Sequence, residues 1–85
     1  MSSISAARYQ APSIVSFRAE FTGRAAHAAF SPEEGLHAIK AAAEAAAHID
    51  CGRVGDLTVN IGTITGGTAD NIVPETCVLT GEARG

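Results

Sequence analysis

Three histidines are the side chains of this 85-residue chain best suited to proton transfer. His37 and His48 recur among glutamates at spacings of three and four, so we expect both on the solvated face of a helix. His27 differs, because it lies among alanines between a predicted strand and a predicted helix, where packing does not call for an imidazole. Its residue type leaves two interpretations open: an ordinary loop histidine, or a group that binds a ligand or transfers a proton.

Two glycines, an asparagine and an arginine are the next candidates for a binding role. Gly66 and Gly67 could expose backbone amides to an anion, but no Lys-Ser/Thr pair or helix follows, so a turn that needs positive φ is the simpler interpretation. Asn71 also suits a turn. Arg84 ends a predicted strand, where it is either a solvated charge or a guanidinium that grips a carboxylate at two points.

The chain does not readily assemble a metal centre of its own. A hydrolytic zinc site needs three or four converging ligands and a general base, and the histidines and acids are too scattered to supply them. Cys51 and Cys77 lack any Cys-x-x-Cys or His-paired spacing, so we expect both to be reduced and partly buried.

Charge and hydropathy narrow the class of protein. The net charge is -3 and the basic residues are scattered singly, which argues against nucleic acid or an anionic membrane as the main partner. No apolar run approaches the ~20 residues that span a bilayer, and residues 1–10 lack the features of a secretory signal. We expect a cytoplasmic protein with a disordered leader at residues 1–12 and one partial domain at residues 13–85.

The elements that must position these residues follow from periodicity. Residues 14–22 alternate apolar and polar, which predicts a half-buried strand. Ser31, followed by Pro32 and by Glu34 three positions on, predicts a helix start with a capping box, and Gly52 is placed to end that helix in a left-handed cap.

Two further extended segments follow the helix. Alternation from residue 57 to 64 predicts a second strand, with Ile61 and Thr63 on one face. Residues 72–84 predict a third, paired regularly only after Pro74. The order β-α-β-β predicts an α+β fold, a ferredoxin-like two-layer sandwich that lacks the second helix and fourth strand. We expect the sheet edge left open to pair with another chain.

Several motifs taken together resemble one family. The chain carries FTGRAAHA from residue 21, PEEG from residue 32, NIGTI from residue 60, GGTADNIVP from residue 66 and GEAR from residue 81. In order and spacing these resemble the dimerisation (lid) domain of the peptidase T-like zinc aminopeptidases, carboxypeptidases and amino-acid deacylases.

The resemblance implies a role for each candidate residue. In such enzymes a separate catalytic domain holds two zinc ions and a glutamate base, while the lid pairs with its twin as a homodimer and the substrate is a small peptide. His27 matches the histidine that reaches the partner's active site and stabilises the oxyanion. Asn71 and Arg84 match positions that hold the substrate, commonly by its carboxylate, and Gly66 and Gly67 match the turn that brings Asn71 there.

Two other functions remain open beside this one. The chain alone holds no catalytic domain, so we expect it to be inactive by itself. It could be a free-standing ferredoxin-like module that binds a small acidic ligand through Arg84 and Asn71 without chemistry, or an assembly domain whose loop residues are inert.

Overall fold

The computed structural model describes residues 13–85, and the predicted leader at residues 1–12 lies outside the described residues. The elements are β1 (Ile14–Thr22), a 3-10 turn (Pro32–Glu34), α1 (Ala38–Ala47), β2 (Gly52–Val54), β3 (Leu57–Gly66) and β4 (Thr76–Arg84). The strands form one sheet in the order β1-β4-β3-β2, with every neighbouring pair antiparallel.

This arrangement confirms the predicted fold class. Because β1 and β3 are both antiparallel to β4, they run in the same direction, and α1 is the crossover of a split β-α-β unit. The short strand β2 was missed by the sequence analysis. It forms a hairpin in which Val54 pairs with Leu57, and Gly55, with φ of 60°, takes the first of the two turn positions, where glycine is favoured.

The core lies between α1 and one face of the sheet. Its fully or nearly buried members are Ala19, Phe21, Ala38, Ala42, Cys77 and Leu79. The predicted alternation of β1 is confirmed, since its core side chains are separated by exposed ones. The prediction for the cysteines was wrong for Cys51, which is exposed because it lies in the link between α1 and β2, whereas Cys77 is buried; both are free.

A β-bulge changes the facing of β3. The register with β4 shifts between Ile61 and Thr63, so that Thr63 pairs with Thr80 and Ile64 pairs with Leu79. The predicted placement of Thr63 on the same face as Ile61 was therefore wrong. Beyond the bulge Ile64 lies on the side of the core, while the hydroxyls of Thr63 and Thr80 share a hydrogen bond on the open face of the sheet.

The start of the helix also differs from the prediction. Pro32–Glu34 form only a 3-10 turn, and Ser31 makes no capping hydrogen bond through its side chain. Helix α1 begins at Ala38, and the Nδ1 atom of His37 accepts a hydrogen bond from the backbone N–H of Lys40 at 3.0 Å. The prediction that His37 lies on the helix face was therefore wrong, because it is the N-cap residue.

Two contacts explain why the helix starts late. Leu36 and Arg24 exchange backbone hydrogen bonds of 2.9 and 2.9 Å, which requires an extended chain at Leu36. Gly35 is also extended, and a Cβ atom there would lie 2.9 Å from the side chain of Val73. The tertiary contacts of this segment thus override its helical capping pattern.

The end of the helix differs too. Its last residue is Ala47, and the exposed His48 is the C-cap residue, with its Nδ1 atom donating to the carbonyl oxygen of Glu44 at 2.8 Å. Gly52 has the positive φ expected of it, 89°, but it begins β2 instead of capping α1. Among residues 13–85, no helix has both the length and the apolar character needed to cross a bilayer.

The core assignment makes a prediction about Leu79, whose side chain is fully buried. Replacing Leu79 with Ala should lower the free energy of unfolding by about 2–5 kcal/mol, because it leaves a cavity under α1. Ile64 pairs directly with Leu79 but is 52% exposed, so Ile64→Ala should cost no more than about 1 kcal/mol. Urea unfolding followed by circular dichroism measures both, and equal losses would show that Leu79 is not a core residue.

The revised helix start is tested by a second pair of variants. His37→Ala should lower the free energy of unfolding by about 0.5–2 kcal/mol, because the first turn of α1 loses its capping acceptor. Ser31→Ala removes a hydroxyl that makes no capping bond, so its unfolding midpoint should match that of the parent chain. A larger loss for Ser31→Ala than for His37→Ala would favour the capping box at Ser31 instead.

Candidate functional site

The loop that carries His27, residues 23–31, is attached to the rest of the domain by backbone pairing. His27 forms an isolated antiparallel bridge with Ile72. On either side of it, the N–H of Ala28 donates to the carbonyl of Asn71 at 2.9 Å, and the N–H of Val73 donates to the carbonyl of Ala26 at 2.8 Å. The structure therefore brings two of the predicted site residues, His27 and Asn71, side by side.

The imidazole of His27 is held by its own turn. Its Nδ1 atom accepts hydrogen bonds from the backbone N–H groups of Ala29 at 3.1 Å and Phe30 at 3.2 Å. An Nδ1 atom that accepts cannot carry a proton, so the neutral ring bears its proton on Nε2. This network makes His27 a hydrogen-bond donor through Nε2, and the flanking alanines leave space for the amides to close on the ring.

Phe30 is a candidate that the sequence analysis missed. Its ring stacks on the imidazole of His27 with a centroid separation of 4.3 Å and an interplanar angle of 29°. The Phe30 side chain is 84% exposed, so it covers the imidazole without joining the core. The signal in the sequence was a large aromatic residue three positions after His27, in a loop otherwise made of small residues.

The two glycines have a clear structural role. Gly67 has φ of 89°, as expected of a turn that needs positive φ. Gly66 pairs with Cys77, and a Cβ atom on it would lie 2.7 Å from the carbonyl oxygen of Thr76. Asn71 is exposed and has negative φ, so it is not a left-handed turn residue, and its carbonyl oxygen is the part that anchors the loop.

Arg84 lies at the other end of the domain. It ends β4, whereas the loop of His27 is attached at the beginning of that strand, near Thr76. Eight residue steps separate Thr76 from Arg84, which is about 27 Å at ~3.4 Å per step. Within one chain, the structure does not bring Arg84 to His27 and Asn71.

Arg84 is paired with a carboxylate two residues before it. Its Nε atom donates to Oε2 of Glu82, and its Nη2 atom donates to Oε1 at 3.3 Å. The hydrogen bond from Arg84 holds the pKa of Glu82 below its ordinary value, and the same bond raises the pKa of Arg84. Glu82 also borders a shallow depression of about 500 Å³ on the open face of the sheet, which is lined mainly by Ser16, Arg18, Asn60, Thr80 and Glu82.

The described residues do not fit a zinc centre. Within residues 13–85, no group of three or more His, Cys, Asp or Glu side chains converges as metal ligands. What the arrangement offers is a neutral imidazole donor at one end and a guanidinium at the other. Either can act on an amide substrate, but neither can activate water by itself.

Comparison with known proteins agrees with this division. The structure is similar to aminopeptidase PepT from Bacillus cereus (40% identity, TM-score 0.78, 84% of this chain and 19% of that one) and to a tripeptidase from Staphylococcus aureus (40%, TM-score 0.77, 84% and 19%). The sequence is 44% identical over 72 residues to a p-aminobenzoyl-glutamate hydrolase from Escherichia coli, and the match covers 81% of this chain and 16% of that relative.

The chain thus spans only 16 to 20% of the length of the relatives it matches. A family model described as the peptidase dimerisation domain matches residues 9–85, which is nearly the whole chain. The resemblance noted from the sequence motifs is confirmed, and the chain belongs to the peptidase dimerisation domain family.

Proposed function

We propose that this chain is the dimerisation and lid domain of a di-zinc exopeptidase of the peptidase T type, which removes the N-terminal residue from small peptides. In a homodimer, its His27 donates a hydrogen bond in the partner's active site. The observation that carries the proposal is the imidazole of His27, whose Nδ1 atom is occupied by two backbone amides so that Nε2 is left to donate.

The chemistry suited to such a donor is stabilisation of an oxyanion. Negative charge develops on the carbonyl oxygen when an amide is attacked, and a donor already oriented toward it is worth about 2.7–4 kcal/mol. His27 is oriented in advance by the two amides and by the stacked ring of Phe30. The two zinc ions of the proposal belong to a separate catalytic domain, and the part played by this chain is hydrogen bonding and orientation.

Distance supports the sharing of one site between two chains. A tripeptide spans at most about 11 Å when fully extended, whereas His27 and Arg84 of one chain lie at opposite ends of a strand about 27 Å long. If both residues contact the same small substrate, they must therefore come from different copies. Asn71, which lies beside His27, would accompany it.

The names of the relatives support a substrate with an amide bond and a free carboxylate. Two similar structures are an aminopeptidase and a tripeptidase, and one similar protein is a p-aminobenzoyl-glutamate hydrolase. Peptides and acyl-glutamates share both chemical features. We infer that Arg84 takes the carboxylate and that the amide carbonyl lies next to His27.

The edge of the sheet at β3 is the proposed dimer contact. Strand β2 covers only its first residues, so among the described residues the outer edge is open along residues 60–66. That stretch carries no charge and exposes Ile64, whereas the open edge at β1 carries Arg18 and Glu20, which discourage pairing. The expectation that the β1 edge, left open by the absent fourth strand, pairs with another chain stays a prediction.

The catalytic role of His27 can be separated from its structural role. In the domain joined to its catalytic domain, His27→Ala should lower kcat by roughly 10²- to 10³-fold, the usual cost of losing an oxyanion donor. His27→Asn should lower it nearly as much, although the Asn side chain can still accept from the amides of residues 29 and 30. His48→Ala serves as the control with unchanged kcat. Parental turnover in His27→Asn would show that the imidazole only holds the turn.

The proposed dimer contact predicts an asymmetry between two exposed isoleucines. Ile64→Lys on β3 should weaken self-association by roughly tenfold or more, because the loss of an apolar side chain from an interface costs about 1.5–3 kcal/mol. Ile14→Lys, at the β1 edge and equally exposed, should leave the dimer unchanged. Sedimentation equilibrium measures both dissociation constants, and weakening by Ile14→Lys alone would move the interface to β1.

A further inference from the structure

Glu82 and Arg84 form the most complete ion pair among the described residues. Two hydrogen bonds join the guanidinium to both oxygens of the carboxylate. Being two positions apart on one strand, the side chains lie on the same face of the sheet, the one opposite α1. Both are partly exposed, so the pair does not belong to the core.

The geometry leaves half of the guanidinium free. Arg84 uses its Nε edge, with one N–H from Nε and one from Nη2. A guanidinium has five N–H donors, so both N–H groups of Nη1 and the second N–H of Nη2 remain. These form the end fork, which matches a second carboxylate in two places.

We propose that Glu82 is the positioning residue for Arg84 and holds its guanidinium so that the end fork is presented to the carboxylate of the substrate. The proposal rests on the role proposed above for Arg84. A free arginine side chain carries about 2 kcal/mol of rotamer entropy, and part of this is lost on binding a ligand. Glu82 removes part of that loss beforehand, because it orders the side chain in the unliganded chain.

An opposite role for Glu82 makes a different prediction. If Glu82 were a competitor that occupied Arg84 until substrate displaced it, its removal would strengthen binding of a carboxylate. The unoccupied end fork favours positioning, since a ligand can bind there while the Glu82 contact stays in place.

A second pair on the same face of the sheet supplies a matched control. Arg18 and Glu20 are also two positions apart on a strand, but only one contact, 3.8 Å from Nη1 to Oε1, joins them. Both side chains are more than half exposed. Glu20→Gln therefore makes the same change of charge without releasing Arg84.

The test uses the 85-residue chain labelled with ¹⁵N, with trialanine and its C-terminal amide as probes. Glu82→Gln should weaken trialanine binding roughly three- to tenfold, the cost of immobilising one side chain, and leave the weaker binding of the amide unchanged. Glu20→Gln should bind both probes like the parent chain. Unchanged or tighter trialanine binding in Glu82→Gln would overturn the proposal.

Exchange of the Arg84 Nε proton with water gives a separate readout. It should be faster in Glu82→Gln than in the parent chain and unaffected in Glu20→Gln. If the parent chain does not distinguish trialanine from its amide, the substrate role of Arg84 fails. The exchange rates then still decide whether Glu82 orders Arg84, and equal rates in all three chains would overturn that as well.

Discussion

The close packing of α1 against β4 is the contact on which the rest of the domain depends. The helix presents Ala38 and Ala42, which are almost fully buried, to the face of β4 that carries Cys77 and Leu79. Small side chains bury little area each, so the contact stabilises the domain only if helix and sheet approach closely. This requirement fixes where α1 can begin and how the chain must enter it.

The position of His27 follows from the same packing. The N–H of Ala38 donates to the carbonyl of Pro74 at 3.0 Å, and the next residue back, Val73, is bonded to Ala26. The segment before β4 is therefore shared between the start of the helix and the loop of His27. A loop attached in this way to a core strand can hold a donor in place at a small entropic cost, which is what an oxyanion contact requires.

The sequence predicted what depends on local pattern and missed what depends on contacts between distant segments. Alternation located β1 at the observed bounds, and the motifs identified the family. The capping pattern at Ser31 was overridden by the bridge to Leu36, and the bulge after Ile61 depends on the register with β4. His27 was chosen for its residue type and the resemblance, but its tautomer follows from how the loop closes, which periodicity does not report.

The proposed pairing of β3 edges relates the two ends of the domain. A two-fold axis through the middle of residues 60–66 makes the strands antiparallel, so Gly66 of one copy lies level with Asn60 of the other. In one chain, Gly66 marks the end near His27, and Thr58, which pairs with Arg84, marks the opposite end. The same two-fold therefore places the His27 end of one copy level with the Arg84 end of its partner, so one pairing rule provides for both residues at each of two equivalent sites.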